Sequence, residues 1–222
     1  MSLKTLSPEE VCRRYKDLYT AAVSDVLDNL GLRNQALPHD IMPVTMDMVV
    51  AGPAFTALGA PSDDTDSDDS RSRFRMLESI QPGTVAVWSS SEQTESAVWG
   101  EIMSSAARER GCTGAILNGG IRDTRYILGM RFPVFCRFRS AVGSVGRWEI
   151  REWMVPITIG STVIQPEDCI FGDMDGVVVI PKDLTVEVLL KTEENVAHEF
   201  NMRAELARGV SVSNVYRRHG KL

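Results

Sequence analysis

Three consecutive segments between residues 84 and 121 do most to limit how this chain folds. Residues 84–90 (TVAVWSS) are an apolar, β-branched run behind a Pro82-Gly83 turn. Residues 100–110 (GEIMSSAARER) have helical composition and stop at Gly111. Residues 114–118 (GAILN) form a second apolar run, which the pattern breaks at Gly119-Gly120, just ahead of Ile121-Arg122-Asp123. A strand, a helix and a strand in this order predict one βαβ unit. In a parallel pair, ligands gather outside the carboxyl ends of the strands. Glu101 opens the helix after the first strand and Arg122-Asp123 follow the second. Both therefore belong on one edge, within reach of one small anion and one metal ion.

The flanking sequence extends the α/β reading. Ser7-Pro8-Glu9-Glu10 starts a helix predicted over 8–31, with Thr20 through Leu30 (TAAVSDVLDNL) ending at Gly31. After a proline-bearing loop at 37–43, residues 44–60 suggest strands around a turn at Gly52-Pro53. An acidic, serine-rich stretch at 62–70 (SDDTDSDDS) precedes a helix at 71–80. Residues 132–138, 145–151 and 154–164 give short strands, and Gly172-Asp173-Met174-Asp175-Gly176 is a tight turn into the buried strand VVVIP. From Leu184 to Leu206 the pattern is a long amphipathic helix that ends near Gly209. Sheet in the middle with helices at both ends fits a layered α/β/β domain better than a doubly wound sheet. No linker-like stretch divides the 222 residues, so one domain over 1–222 is expected.

Several function classes recede on composition and spacing. A net charge of −6 argues against general affinity for nucleic acid or anionic membrane, although arginines crowd residues 122–151. No apolar run reaches membrane-spanning length and the amino terminus (MSLKTLSPEE) lacks a signal-peptide core, so a cytoplasmic location is expected. Cys12, Cys112, Cys136 and Cys169 are far apart and read as reduced thiols. His39, His198 and His219 are not at zinc-ligand spacing. Neither GxSxG nor GxGxxG is present, which leaves serine hydrolysis, dinucleotides and S-adenosylmethionine without support. Lys182 reads as a surface residue rather than a Schiff-base lysine. The acidic run fails as an EF-hand, because Asp69 stands where glycine is needed and Arg75 where the bidentate glutamate belongs. It reads as a solvated loop, with a lid over the pocket as the alternative. Asp25 reads as a helix-surface or capping residue. Glu193, Glu194 and Glu199 read as the wet face of the last helix.

An isolated Arg-Asp pair in a loop is ordinarily a solvated ion pair. Gly100-Glu101 changes that reading, because complementary groups then converge. The first turn of a helix offers unpaired N–H groups and a positive dipole end, a seat for a carboxylate at Gly100, Glu101, Ile102 and Met103. Asp123 is a hard oxygen ligand suited to Mg²⁺ or Mn²⁺. Arg122 can hydrogen-bond an oxygen that gains negative charge during a reaction. Together these groups suit an enolate.

Gly100-Glu101, a spacer of twenty residues, Arg122-Asp123 and the later GDMDGVVVIP resemble the RraA-like proteins, which include class II 4-hydroxy-4-methyl-2-oxoglutarate/4-carboxy-4-hydroxy-2-oxoadipate aldolases. The similarity runs from about Thr20 to the tail YRRHGKL. It implies an α/β/β three-layer sandwich assembled as a homotrimer, sometimes doubled to a homohexamer, with active sites between subunits. It further implies a substrate carboxylate on the backbone of Gly100, Glu101, Ile102 and Met103, the C2 oxygen of a 2-oxo acid on Arg122, and Mg²⁺ or Mn²⁺ on Asp123. Glu101 would help hold water at the metal, and Glu199, in NVAHEFNMRAEL, would act across the interface. The implied activity is lyase cleavage of 4-hydroxy-2-oxo acids to pyruvate, with oxaloacetate decarboxylation as a companion. The family also contains inhibitors of ribonuclease E in which the acid ahead of the spacer is missing; Glu101 favours the enzyme. A methyltransferase label sometimes attached to the family has no cofactor motif behind it. The segment 61–70 departs from the family pattern, which leaves substrate size open.

Overall fold

The computed structural model describes residues 6–65, 68–91 and 95–219, with only the backbone described at 68–71. Two helices come first, α1 (Pro8–Tyr15) and α2 (Thr20–Asn29), where the sequence predicted one over 8–31. The break has a tertiary cause. Asp173, in the Gly172–Gly176 turn, accepts from the Thr20 backbone N–H at 2.8 Å and from the Thr20 hydroxyl at 2.7 Å. An acceptor supplied from another part of the chain starts α2 at Thr20 and leaves Tyr19 extended. Gly31 and Gly111, with φ near +81° and +82°, stop α2 and the helix that opens at Glu101, as expected.

A mixed sheet carries the fold. It comprises β1 (Met42–Pro43), β2 (Val50–Pro61), β3 (Val85–Ser89), β4 (Ala97–Trp99), β5 (Gly114–Ile121), β6 (Val134–Arg139), β7 (Trp148–Trp153), β10 (Cys169–Asp173) and β11 (Gly176–Ile180). A separate hairpin is formed by β8 (Ile157–Ile159) and β9 (Thr162–Ile164). The remaining helices are α3 (Asp68–Ser79), α4 (Glu101–Glu109), α5 (Thr124–Met130), α6 (Thr185–Ala207) and α7 (Val212–His219). The main strand order is β1-β6-β5-β3-β2-β10-β11, with β4 beside β5 and β7 beside β2. The end strands β1 and β11 approach each other, so the sheet nearly closes.

The predicted βαβ unit is present, with β3 and β5 parallel and Val85 opposite Gly114. Two details differ. A short strand, β4, lies between β3 and the helix and pairs with the far end of β5, Ala97 opposite Gly120. Gly119-Gly120 do not end β5; the strand runs through them to Ile121. A Cβ at 119 would lie 2.8 Å from the Ser90 hydroxyl, and one at 120 would lie 2.4 Å from the Phe138 ring. These glycines admit neighbouring side chains instead of making a turn. Gly52-Pro53 are likewise internal to β2. Residues 50–53 pair with β10, and the parallel ladder to β3 starts at Ala54. Pro53, lacking an N–H, stands where the strand changes partners.

Alternation along the strands divides the core. Val177 and Val179 of β11 enter the larger cluster with β2, β3 and β5, while Val178 and Ile180 face a second cluster. That second cluster contains Val11 and Tyr15 of α1, Val23 and Leu27 of α2, and Val188 and Leu189 of α6. On the other side α3 packs on β7 and α4 on β5. This is the expected α/β/β layering. Helix α7, beyond the elements expected from sequence, packs on α6.

Candidate active site

Strands β2, β4, β5 and β6 all run parallel to their neighbours on the βαβ side, so their carboxyl ends share one edge. Each sends its following segment to one pocket of ≈ 230 Å³. Beyond β2, α3 contributes Arg73 and Phe74. Beyond β4, the amino end of α4 contributes Gly100, Ile102 and Met103. Arg122 and Asp123 follow β5, and Gly143, Ser144 and Val145 follow β6. A wider hollow of ≈ 430 Å³ adjoins it beyond Arg122 and Asp123, where Thr124, Arg139 and Ser140 line the wall.

The local sequence makes room for both charged groups. Gly100, the cap of α4, has an extended backbone that any residue adopts, yet a Cβ there would lie 2.7 Å from Asp123 Oδ2. A Cβ at Gly143 would lie 2.7 Å from Arg122 Nη1. Asp123 sits at φ 59°, the left-handed region, which aspartate tolerates better than most residues. Its carboxylate lies 3.4 Å from the Glu101 backbone N and 3.5 Å from Arg122 Nε. The Arg122 backbone N–H donates to Trp99 O at 3.0 Å, tying the two loops together.

A tryptophan supports the first turn of α4 from below. Trp99 Nε1 donates to Ser104 Oγ at 2.7 Å, and that hydroxyl donates to Gly100 O at 3.1 Å. Trp99 is buried and meets Trp88 edge-on at 4.9 Å; Trp88 in turn stacks on Trp148. The rim is apolar and open, with Ile102 73%, Phe74 57% and Val145 59% exposed.

Of the residues singled out from sequence, Gly100, Ile102, Met103, Arg122 and Asp123 meet at this pocket. Glu101 is at its edge: its backbone N–H points to Asp123, while its carboxylate accepts from Ser105 Oγ at 3.0 Å along the helix. Glu199 belongs to another layer. On α6 it accepts hydrogen bonds from the Tyr19 hydroxyl and, at 2.7 Å, from Arg203. Sequence reading missed Arg73, Trp99, Gly143 and Ser144. A glycine just beyond a parallel strand was the available signal for Gly143; Arg73 had none.

Asp123 is the acid on the pocket wall among the described residues, and no group of three His, Cys, Asp or Glu converges for a metal among them. A single half-exposed carboxylate beside a residue without a side chain fits a cation that keeps most of its waters, as Mg²⁺ does.

A family model described as RraA-like, Aldolase/RraA, matches residues 20–179. The chain belongs to the RraA-like family. A relative from Halalkalibacterium halodurans, named "Putative 4-hydroxy-4-methyl-2-oxoglutarate aldolase", is 30% identical over 91% of both chains. A solved structure described as one of novel cellulases from gut-associated microbes is 39% identical over 90% of both chains, with a TM-score of 0.85. Streptomyces coelicolor RraAS2, described as an unusual member of the RNase ES inhibitor RraA family, shares the fold: TM-score 0.74 at 24% identity over 90% of this chain and 96% of that one. The RraA-like match spans β2 through β11, so it contains every segment that lines the pocket.

Proposed function

We propose that this protein is a divalent-metal-dependent lyase that cleaves 4-hydroxy-2-oxo acids to pyruvate and also decarboxylates oxaloacetate. One observation carries the reading: a helix amino end, the Arg122 guanidinium and the Asp123 carboxylate share one small pocket. The aldolase name of the Halalkalibacterium relative supports it.

The first-turn N–H groups of Ile102 and Met103 have no acceptor within the helix and receive the substrate's 1-carboxylate. Arg122 donates to the 2-oxo oxygen and stabilises the negative charge that collects there as the C3–C4 bond breaks. Asp123 would hold Mg²⁺ or Mn²⁺, which supplies Lewis acidity toward the same oxygen. Glu101, whose carboxylate accepts from Ser105 in this structure, would have to turn toward the pocket to orient the water that takes the 4-hydroxyl proton. Loss of CO₂ from oxaloacetate leaves the same enolate, so the same donors serve both reactions.

Glu199 sits on α6, away from its own chain's pocket, and would act in the site of a neighbouring subunit, as the family resemblance implies. The family resemblance implies a homotrimer, alone or paired as a homohexamer, and the reading places it in the cytoplasm. Arg122→Lys keeps the charge but loses the fork geometry. It should lower kcat by about 10²–10³-fold with the fold intact, read as pyruvate release coupled to lactate dehydrogenase. Full activity in this variant would remove Arg122 from the mechanism. Capture of ribonuclease E without turnover of any 2-oxo acid would favour the regulator reading instead.

A further inference from the structure

We infer that Arg139, at the carboxyl end of β6, is a specificity residue that binds a second, distal carboxylate of the substrate. The inference rests on the placement of a 2-oxo acid at Arg122 and deepens it by assigning the far end of the ligand. Strands β5 and β6 are parallel and reach the site edge together, with Ile121 opposite Arg139. Arg139 therefore stands beside the Arg122-Asp123 loop, and with Thr124 and Ser140 it lines the hollow of ≈ 430 Å³. Arg122 and Asp123 border both this hollow and the smaller pocket. The amino end of α4 lies on one side of them and Arg139 on the other. A 2-oxo acid with its carbonyl at Arg122 then directs its C1 end to α4 and its C3 end into the hollow.

Charge points the same way. Arg122 and Arg139 against the single carboxylate of Asp123 give the lining of the hollow a net charge of +1 before any cation enters. Arg139 Nη2 donates to Val44 O at 3.1 Å, which anchors the side chain through one N–H and leaves the rest of the fork for a ligand. Among the described residues Arg139 makes no ion pair, whereas Arg137, two positions earlier, is paired with Asp40. The Ser140 hydroxyl is committed to its own loop: it donates to Glu95 O at 2.9 Å and accepts from the Val142 N–H at 3.1 Å. Arg73 lies across the smaller pocket, where it donates to Ser144 Oγ at 3.0 Å and faces the Trp148 ring. A carboxylate entering the hollow therefore meets Arg139, whose planar fork suits it.

The test needs no turnover. Calorimetric binding of 2-oxoglutarate and of 2-oxopentanoate, which has the same chain length without the distal carboxylate, is compared with Mg²⁺ present. The full chain should prefer 2-oxoglutarate, and Arg139→Gln should reduce that preference roughly 10- to 100-fold. Arg139→Lys, which keeps the charge without the fork, should keep part of the preference. Arg73→Gln removes the same charge from the far side and should keep all of it, which separates a local contact from a general field. A purely structural role, the bond to Val44 alone, would lower Tm and weaken both ligands alike, leaving the ratio unchanged. An unchanged ratio in Arg139→Gln, equal affinity for the two acids in the unaltered protein, or an equal loss of preference in Arg73→Gln overturns the inference. Binding of neither acid removes the placement at Arg122 and the inference with it. Pyruvate release from 4-hydroxy-4-methyl-2-oxoglutarate, measured separately, judges the lyase reading, so the two can fail independently.

Discussion

Gly100 leaves open the space into which the Asp123 carboxylate projects: a Cβ at position 100 would lie 2.7 Å from Asp123 Oδ2. Gly100 itself has an ordinary extended backbone, so alanine is tolerated conformationally and the conflict falls on the carboxylate alone. Gly100→Ala should fold with little change in Tm and lose about 10²-fold in kcat/KM, the effect of displacing a positioned group by about 1 Å. Steady-state pyruvate release beside a thermal melt checks both halves. Activity unchanged in Gly100→Ala would mean that the position of Asp123 is unimportant.

Trp99 should matter to both stability and turnover. Its indole N–H holds Ser104, whose hydroxyl holds Gly100 O, so the first turn of α4 is fixed from beneath. Trp99→Phe keeps an aromatic ring but removes the donor and some volume. A cost of about 1–3 kcal/mol is expected from the lost bond and the space left behind. Urea unfolding measures it, and a fall in kcat larger than the rise in KM would show that α4 positions reacting groups as well as ligand.

The carboxyl end of the chain should respond to acid. Glu205 on α6 accepts from His219 of α7 at 3.2 Å and from Arg218 at 2.9 Å. These bonds, that to His219 foremost, favour the charged carboxylate and hold its pKa below the usual 4.5. A lowered carboxylate contributes stability above its unfolded value, and that contribution is lost as pH falls through the folded value. Amide protection of α7 should therefore be maintained at neutral pH and fall below about pH 4.5. Glu205→Gln should flatten this dependence. An identical acid profile in the variant would assign the transition to other groups.

Much of the site was legible because local signals and tertiary placement agree there. The run 84–90, the helix at Glu101 and the run from Gly114 each carry their own periodicity, and the carboxyl-edge rule then brings Gly100 to Arg122 and Asp123. Glycine and proline misled where their reason is tertiary. Gly119 and Gly120 read as a strand break, but they make space for Ser90 and Phe138. Gly52-Pro53 read as a turn, but they mark a change of partner strand. The break before Thr20 depends on Asp173, 153 residues away. Arg73 reaches the pocket through Ser144, 71 residues away, a relation that no spacing rule records.

Asp123 as the cation ligand of a pyruvate-forming lyase is the central claim, and metal dependence tests it most directly. Pyruvate release from oxaloacetate and from 4-hydroxy-4-methyl-2-oxoglutarate is measured with Mg²⁺ and with excess EDTA, for the full chain and for Asp123→Ala. Turnover that requires Mg²⁺, stops in EDTA and is lost in Asp123→Ala, with the melt unchanged, is the predicted result. Equal turnover in EDTA, or full Mg²⁺-dependent activity in Asp123→Ala, would contradict it.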